Sequence, residues 1–407
     1  MTEPTRSVET EVCVIGAGVM GLSASWELSK RGVRVLCIDR SRPGVEASGS
    51  TAGTLAIQNK HLRSIPLAIE AVRRWRSLAE ELESDLEYER RGGFRVAHSA
   101  DEVHTLEDAV AAQRALGAPL EMVYPPTLFQ QAPYLSREVR AASYCAEDGM
   151  ANPFLTVRAY LAACGRGGVA FEFNRGVESL DVRSDGSFAV RAGGLDVVCG
   201  TVVIAAGAWI AHLCRPLGID LPLYTKIQQV MITTPAPPLF GEIVTHAGGQ
   251  LTLKQQSRGG KVLVGGGWLG DGSENKNGSA DDVSPVQAAG RGRGNHHRVR
   301  RESLAGNLDL AIRTVPALAQ TRLLRAWTGA EGRSPDRLPL IGSVGEPAGL
   351  HLLGCAAGGF TLAPVCGVLA AQGVLGEESP LSSETISARR FVGAARHDLT
   401  QETEAKK

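Results

Sequence analysis

The stretch Glu11 to Arg40, EVCVIGAGVMGLSASWELSKRGVRVLCIDR, constrains this chain more than any other. An apolar run from Val12 to Ile15 reads as a buried strand. A turn then passes through Gly16, Gly18 and Gly21, a helical pattern continues to Lys30, and a second apolar run ends on Asp39. Gly16 permits the tight strand-to-helix turn, Gly18 lets the backbone approach a pyrophosphate, and Gly21 lets helix and strand pack closely. The new helix turns its free N–H groups and the positive end of its dipole toward that anion. Asp39 stands at the end of the second strand, where a carboxylate accepts hydrogen bonds from both ribose hydroxyls of an adenosine and repels a 2′-phosphate. The expected ligand is NAD or FAD, not NADP.

A chain of 407 residues is too long for one ordinary core and points to two or three domains. Forty-three basic residues balance 43 acidic ones, so no global charge draws the protein to nucleic acid or an anionic membrane. The first ten residues are polar, without the apolar core of a secretory signal, and no apolar run reaches transmembrane length. A cytoplasmic location is the expectation. The eight cysteines (13, 37, 145, 164, 199, 214, 355 and 366) form no C-x-x-C pair and read as free buried thiols.

Past Asp39 a Gly/Ser/Thr-rich stretch, Ser48 to Thr54, lets backbone amides approach a large planar ligand, and Pro66 to Asp85 has helical periodicity. Residues 86–150 carry a strand (Phe94 to Ala97), a helix (Asp101 to Leu116) and loops, unlike another nucleotide unit. That pattern resumes at Asn152-Pro153 and runs through a helix and strands to Gly207-Ala208-Trp209. Strands then follow at Lys226 to Thr233, Gln250 to Lys254 and Lys261 to Val264, with a helix from Leu304 to Ile312. Leu323 to Trp327 and Leu350 to Leu353 read as strands, and a turn at Gly358-Gly359 opens a last helix whose N-terminus faces a polar or anionic edge.

The expected architecture is α/β. A discontinuous Rossmann-like cofactor domain (8–85, 151–215 and 323–385) is interleaved with a mainly antiparallel α+β substrate domain (86–150 and 216–322). Residues 270–297 read as a mobile insertion and 386–407 as a tail. The basic end of the insertion, GRGRGNHHRVRR, has no interleaved aromatics for stacking bases, and His296-His297 has no cysteine or carboxylate cluster at ligand spacing; neither nucleic acid nor metal is expected there.

The GAGVMG turn with Asp39, the SGSTAG loop, Asn152-Pro153, AAGAW at 205–209, QVMITTP at 229–235, and WTGAEGRSPDRLPLIG followed by GCAAGGFTLAP resemble the D-amino acid oxidase family. That family includes glycine oxidase, sarcosine oxidase and FAD-dependent amino acid dehydrogenases. The resemblance implies FAD, with Gly16, Gly18, Val19, Met20 and Gly21 at the pyrophosphate and Asp39 with Arg40 at the adenosine. Ser48, Gly49, Ser50, Thr51 and Ala52 run along the ribityl and flavin, Val177 meets the adenine, and Ala206 and Gly207 lie near the pyrophosphate. Gly358, Gly359, Phe360 and Thr361 reach the flavin pyrimidine edge. Asp39 replaces the family's more usual Glu. No cysteine follows Trp327 through Gly342, so the FAD is expected to be non-covalent.

The implied reaction passes hydride from a C–H beside nitrogen to flavin N5, giving an imine that hydrolyses, and it depends mainly on positioning. Gln229, Lys254 and Gln255 are the polar candidates on the substrate strands. Glycine oxidase-like sequences carry a carboxylate-binding Arg where this chain has Glu331; Arg333 is the candidate replacement, or Glu331 binds a cationic part of the substrate. An E-G pair here resembles the flavin subunits of imino acid, hydroxyproline or opine dehydrogenases, some of which are hetero-oligomeric. The expected enzyme is an FAD-dependent amino or imino acid dehydrogenase. The alternatives are an oxidase that uses oxygen and a flavin-bearing scaffold without turnover. The dehydrogenase expectation rests on Leu263, an apolar residue at the place of a lysine that activates oxygen in sarcosine oxidase-like members, with Lys254 the other cation within reach.

Overall fold

The computed structural model describes residues 6–271, 297–381 and 384–392. The expected insertion and tail lie largely outside them. The first strand, Arg6–Ile15, sits at the centre of an eight-stranded sheet, paired in parallel with Val35–Ile38 on one side and Leu195–Ile204 on the other. Its last residues are apolar and fully buried because both faces of a parallel sheet are covered by helices. Leu350–Gly354 adds in parallel beyond Leu195–Ile204, and Leu340–Ser343 pairs with it antiparallel.

Two helices cover this sheet and are buried almost all round. Val19–Ser29 follows the glycine turn, and Gly359–Leu375 follows Gly358. Their close approach needs small residues: a side chain at Gly21 would collide with the Gly16 carbonyl, and one at Gly367 with Ser23. Helix Ile65–Glu81, with its proline in the first turn, packs on the second of them, and Trp75 Nε1 donates to the Thr361 carbonyl at 2.9 Å.

A second eight-stranded sheet stands across from the first. Its order is Leu323–Arg333, Tyr224–Thr233, Val262–Gly265, Thr252–Gln255, Ile243–His246, Gly93–Ala97, Ala141–Cys145, Leu120–Val123. All its pairings are antiparallel except that of Ile243–His246 with Gly93–Ala97. Helix Arg301–Thr314 backs this sheet, and its buried Asn307 donates to the carbonyls of Gln250 and Gly265. One expected boundary is corrected. Leu323–Arg333 pairs with Tyr224–Thr233 along its whole length, so it belongs to the second sheet, and the last segment of the first sheet starts at Leu340. The start of the expected tail also packs, with Phe391 buried and Arg390 paired with Asp336 at 2.8 Å. All eight cysteines are free and buried.

Candidate active site

A cavity of about 1730 Å³ runs between the two sheets, bounded by both glycine turns. At one end lie Gly16, Gly18, Val19 and Met20. Gly16 has φ +114°, and a side chain there would sit 2.5 Å from the Ala205 carbonyl oxygen, so only glycine allows the strands to meet at this turn. The Val19 N–H donates to Ser48 Oγ at 2.9 Å, and no acidic residue stands in the first turn of the helix. The helix that begins after Gly358 likewise has no side-chain cap and no acidic residue in its first turn. Two helix N-termini without negative side chains converge on one cavity, which suits a dinucleotide phosphate and an electron-rich ring edge.

Asp39 lines the same end. Its Oδ2 accepts from the Ala17 N–H at 2.7 Å and its Oδ1 from the Ser41 N–H at 2.8 Å, while burial raises the carboxyl above its usual range against those bonds. A carboxylate has about four acceptor sites, so lone pairs remain for ribose hydroxyls. Arg40 pairs with Glu46 at 2.6 Å and lies 3.7 Å from the centre of the Trp209 ring, forming a flat wall beside Val177.

Of the cofactor residues expected from the sequence, Ser48, Ser50, Thr51, Ala52, Val177, Ala206, Gly207, Gly358, Gly359 and Phe360 also line the cavity. Three do not. Gly21 and Gly49 are packing positions, where a side chain would collide with the carbonyls of Gly16 and Gly44. Thr361 is fully buried and donates to the Thr54 carbonyl at 3.1 Å.

The expected polar residues divide by strand alternation. Gln228 and Val230 face the cavity, so Gln229 points to the opposite side, where its Oε1 accepts from the Arg300 N–H at 3.2 Å. Gln255 bonds the Leu239 N–H at 2.7 Å and the carbonyls of Pro237 and Gly260 at 2.8 and 3.0 Å, so it braces loops and does not meet a ligand. Lys254 is 1% exposed, does not line the cavity, and its amine has no partner among the described residues. Burial alone pushes that amine down to about 7. Glu331 and Arg333 do line the cavity, paired at 2.8 Å, and Gln228 also donates to Glu331.

The structure adds residues that the sequence does not single out. Lys60 lies against the Gly358 turn, and burial pushes its amine down to about 8, opposed by Asp148 and Glu331. Asp148 is fully enclosed and raised to about 6, holding the Ile57 N–H at 2.8 Å and Gln58 Nε2 at 3.0 Å. Cys355 also lines the cavity, its thiol pushed up to about 12 by burial. Arg95 reaches the cavity wall from Gly93–Ala97. Strand periodicity groups Gln228 with Val230 but does not say which face of the strand meets the cavity. No local signal marks Lys60 or Arg95, since contacts with distant segments put them there.

Outside the cavity, His98, Glu102 and His246 gather with one ligand atom each, all within 4.8 Å. The Gly248 N–H donates to Nδ1 of His246 at 3.1 Å, so the ring proton sits on Nε2, 3.2 Å from Glu102 Oε1. The other Glu102 oxygen accepts the backbone N–H groups of His98 and Ser99 as half of a capping box. Both ring nitrogens of His98 are buried without a partner among the described residues.

Residues 11–373 match the family model described as DAO, FAD dependent oxidoreductase. The chain belongs to this family of FAD-dependent oxidoreductases. It is similar to glycine oxidase of Geobacillus kaustophilus, 29% identical over 402 residues that cover 94% of this chain and 97% of that protein. An opine oxidase subunit of Rhizobium meliloti is 24% identical, covering 94% of this chain and 98% of the relative. Among solved structures, Geobacillus kaustophilus glycine oxidase superposes with a TM-score of 0.83 at 24% identity, covering 95% of this chain and 100% of that one. L-Proline dehydrogenase of P. horikoshii gives 0.82 at 23%, covering 96% and 98%. The cofactor of this family member is FAD, and the cavity's turns, Asp39 and uncapped helix ends are of the kind that hold it. No helix among the described residues is long and apolar enough to cross a membrane.

Proposed function

We propose that this protein oxidises the C–N bond of an amino or imino acid. The observation that carries this reading is the continuity of the cavity, which joins the dinucleotide turn at Gly16–Gly18 to polar residues of the second sheet, Gln228, Thr252 and the Glu331–Arg333 pair, and to Gln250 in the loop before Thr252–Gln255. Bound FAD supplies the two-electron acceptor that takes hydride from the carbon beside nitrogen. The chain's own residues bind, orient and handle protons. The sheet presents Val230 and Gly265 as a low apolar floor, which leaves room for a small substrate to lie flat. Lys60, pushed down to about 8, holds or releases one proton near neutral pH beside the Gly358 turn, so it can accept the proton that an ammonium substrate must lose before its nitrogen lone pair assists. Glycine, opines and L-proline appear in the names of relatives, which supports the class without choosing among its members.

The test is anaerobic mixing of the holoenzyme with amines and with D- and L-amino and imino acids. Bleaching of the yellow flavin by at least one amino or imino acid is expected, and failure of the whole panel would refute the reading. The electron acceptor is decided by admitting air-saturated buffer to the bleached enzyme. The dehydrogenase expectation rested on an apolar Leu263 at the place of an oxygen-activating lysine; Lys60, which lines the cavity beside the Gly358 turn, is a second cation to weigh against it. If Lys60 serves oxygen, reoxidation should slow about tenfold or more in Lys60→Met. Slow reoxidation in the unaltered enzyme, with fast reduction of a dye, supports the dehydrogenase.

A further inference from the structure

Arg95 is a cavity-lining cation whose environment asks for an anion that the described residues do not supply. Its Nη1 donates to the Gln58 carbonyl at 3.1 Å and its Nη2 to the Ala247 carbonyl at 2.7 Å, both neutral acceptors. Its Nε is buried without a partner among the described residues. No described carboxylate pairs with it, and burial is the sole influence on its proton affinity. Arg333, Arg40 and Arg175, which line the same cavity, are matched by Glu331, Glu46 and Glu172, and Arg337, also on its wall, is exposed to solvent. A guanidinium drawn out of water without a counter-charge is costly, and the fixed fork of its remaining N–H groups fits the two oxygens of a carboxylate.

Its place in the sheet is equally specific. Arg95 pairs with Thr245, Thr245 with Thr252, and Thr252 with Gly265, so the four residues form one row across the sheet. Arg95, Thr252 and Gly265 of that row line the cavity, and a side chain at Gly265 would reach Val230. The row therefore runs from an open, apolar floor at Val230 and Gly265, through a hydroxyl at Thr252, to a fork at Arg95. That is a rail for a molecule with a non-polar end at Val230 and Gly265, a polar group near Thr252 and an anionic end at Arg95.

We propose that Arg95 binds the carboxylate of the substrate, in place of the arginine that this chain lacks at Glu331. This rests on the function proposed above and names the anchor for it. Arg333 suits that role less well: its Nε is also without a partner among the described residues, but its charge is already offset by Glu331 at 2.8 Å, whereas no described carboxylate offsets that of Arg95.

The test uses the holoenzyme with benzoate and its neutral isostere benzamide, read by perturbation of flavin absorbance. Unaltered protein should bind benzoate about tenfold or more tightly than benzamide. Arg95→Gln should erase that preference while leaving benzamide affinity unchanged. Arg95→Lys, which keeps the charge but not the fork, should retain only part of it. Equal binding of the two probes by the unaltered protein, or a preference that survives in Arg95→Gln, would overturn the proposal. Should Arg95→Gln fail to hold flavin, Arg95→Lys decides: undiminished benzoate affinity overturns the proposal and a several-fold loss with benzamide unchanged supports it. The two readings fail separately. Bleaching by amino acids without an Arg95 effect removes only the anchor, whereas an Arg95-dependent benzoate preference without bleaching removes only the redox reading.

Discussion

Lys254 offers the sharpest test of the physical reasoning, because its side chain is 1% exposed, its Nζ has no partner among the described residues, and no nearby charge affects it. Burial takes its amine from 10.5 to about 7. The folded protein therefore binds fewer protons than the unfolded chain between those values, and stability falls as pH drops from 10.5 to about 7, levelling off below. Each pH unit of displacement corresponds to about 1.4 kcal/mol, which bounds the cost of keeping this lysine at neutral pH at roughly 5 kcal/mol. Methionine has similar length and no charge, so Lys254→Met should stabilise the protein by roughly 2–4 kcal/mol at pH 7, the range allowing for relaxation around the site. The gain should shrink toward zero near pH 10.5. Urea unfolding at fixed excess FAD, run at pH 7 and pH 10 on both proteins, measures the difference. A variant that is no more stable at pH 7, or a difference that does not change with pH, would show that the amine has a partner or solvent access that the structure does not record. A gain in stability coupled to a loss of turnover would mean that the lysine is kept for function at the expense of stability.

Three further outcomes follow from the same geometry. Gly16→Ala should yield protein without flavin, because both φ +114° and the Ala205 carbonyl oppose a side chain. Gly18→Ala should disturb the fold less, since the nearest protein atom is Ser48 Oγ at 3.2 Å, yet should still lower flavin content by holding the backbone off the pyrophosphate, and Asp39→Ala should weaken FAD by roughly 1–3 kcal/mol; flavin content after gel filtration and equilibrium titration check this set. Acid precipitation should leave all yellow colour in the supernatant, since Cys355, with its thiol pushed up to about 12, is a poor nucleophile; colour in the pellet would contradict this. His351, 6% exposed, is pushed down from 6.5 to about 4 by burial and by Arg389, so the unfolded chain binds the extra proton and stability is lost as pH falls from about 6.5 to about 4. His351→Leu should remove at most about 3 kcal/mol of that loss, and thermal melts at pH 7 and pH 4.5 that change by the same amount in both proteins would refute it.

Local pattern was enough for the dinucleotide unit. In Glu11 to Arg40 the strand, the three glycines, the helix and Asp39 are contiguous, and the demands on each are set by neighbours in sequence, so the turn and a dinucleotide ligand were legible there, while FAD itself came from the family resemblance. The faces of the substrate strands were not. Alternation ties Gln228 to Val230 and sets Gln229 opposite, but which set meets the cavity depends on what packs behind the sheet, and helix Arg301–Thr314 decides that. The allegiance of Leu323–Arg333 was equally hidden, because pairing with Tyr224–Thr233 joins residues far apart in the chain. Lys60, Arg95 and Lys254 are ordinary basic residues in a charge-balanced sequence. Only the tertiary structure, by withdrawing water from each and offering a counter-charge to some and not others, made one a cavity-lining amine beside a glycine turn, one an unmatched guanidinium and one a buried amine without a partner among the described residues.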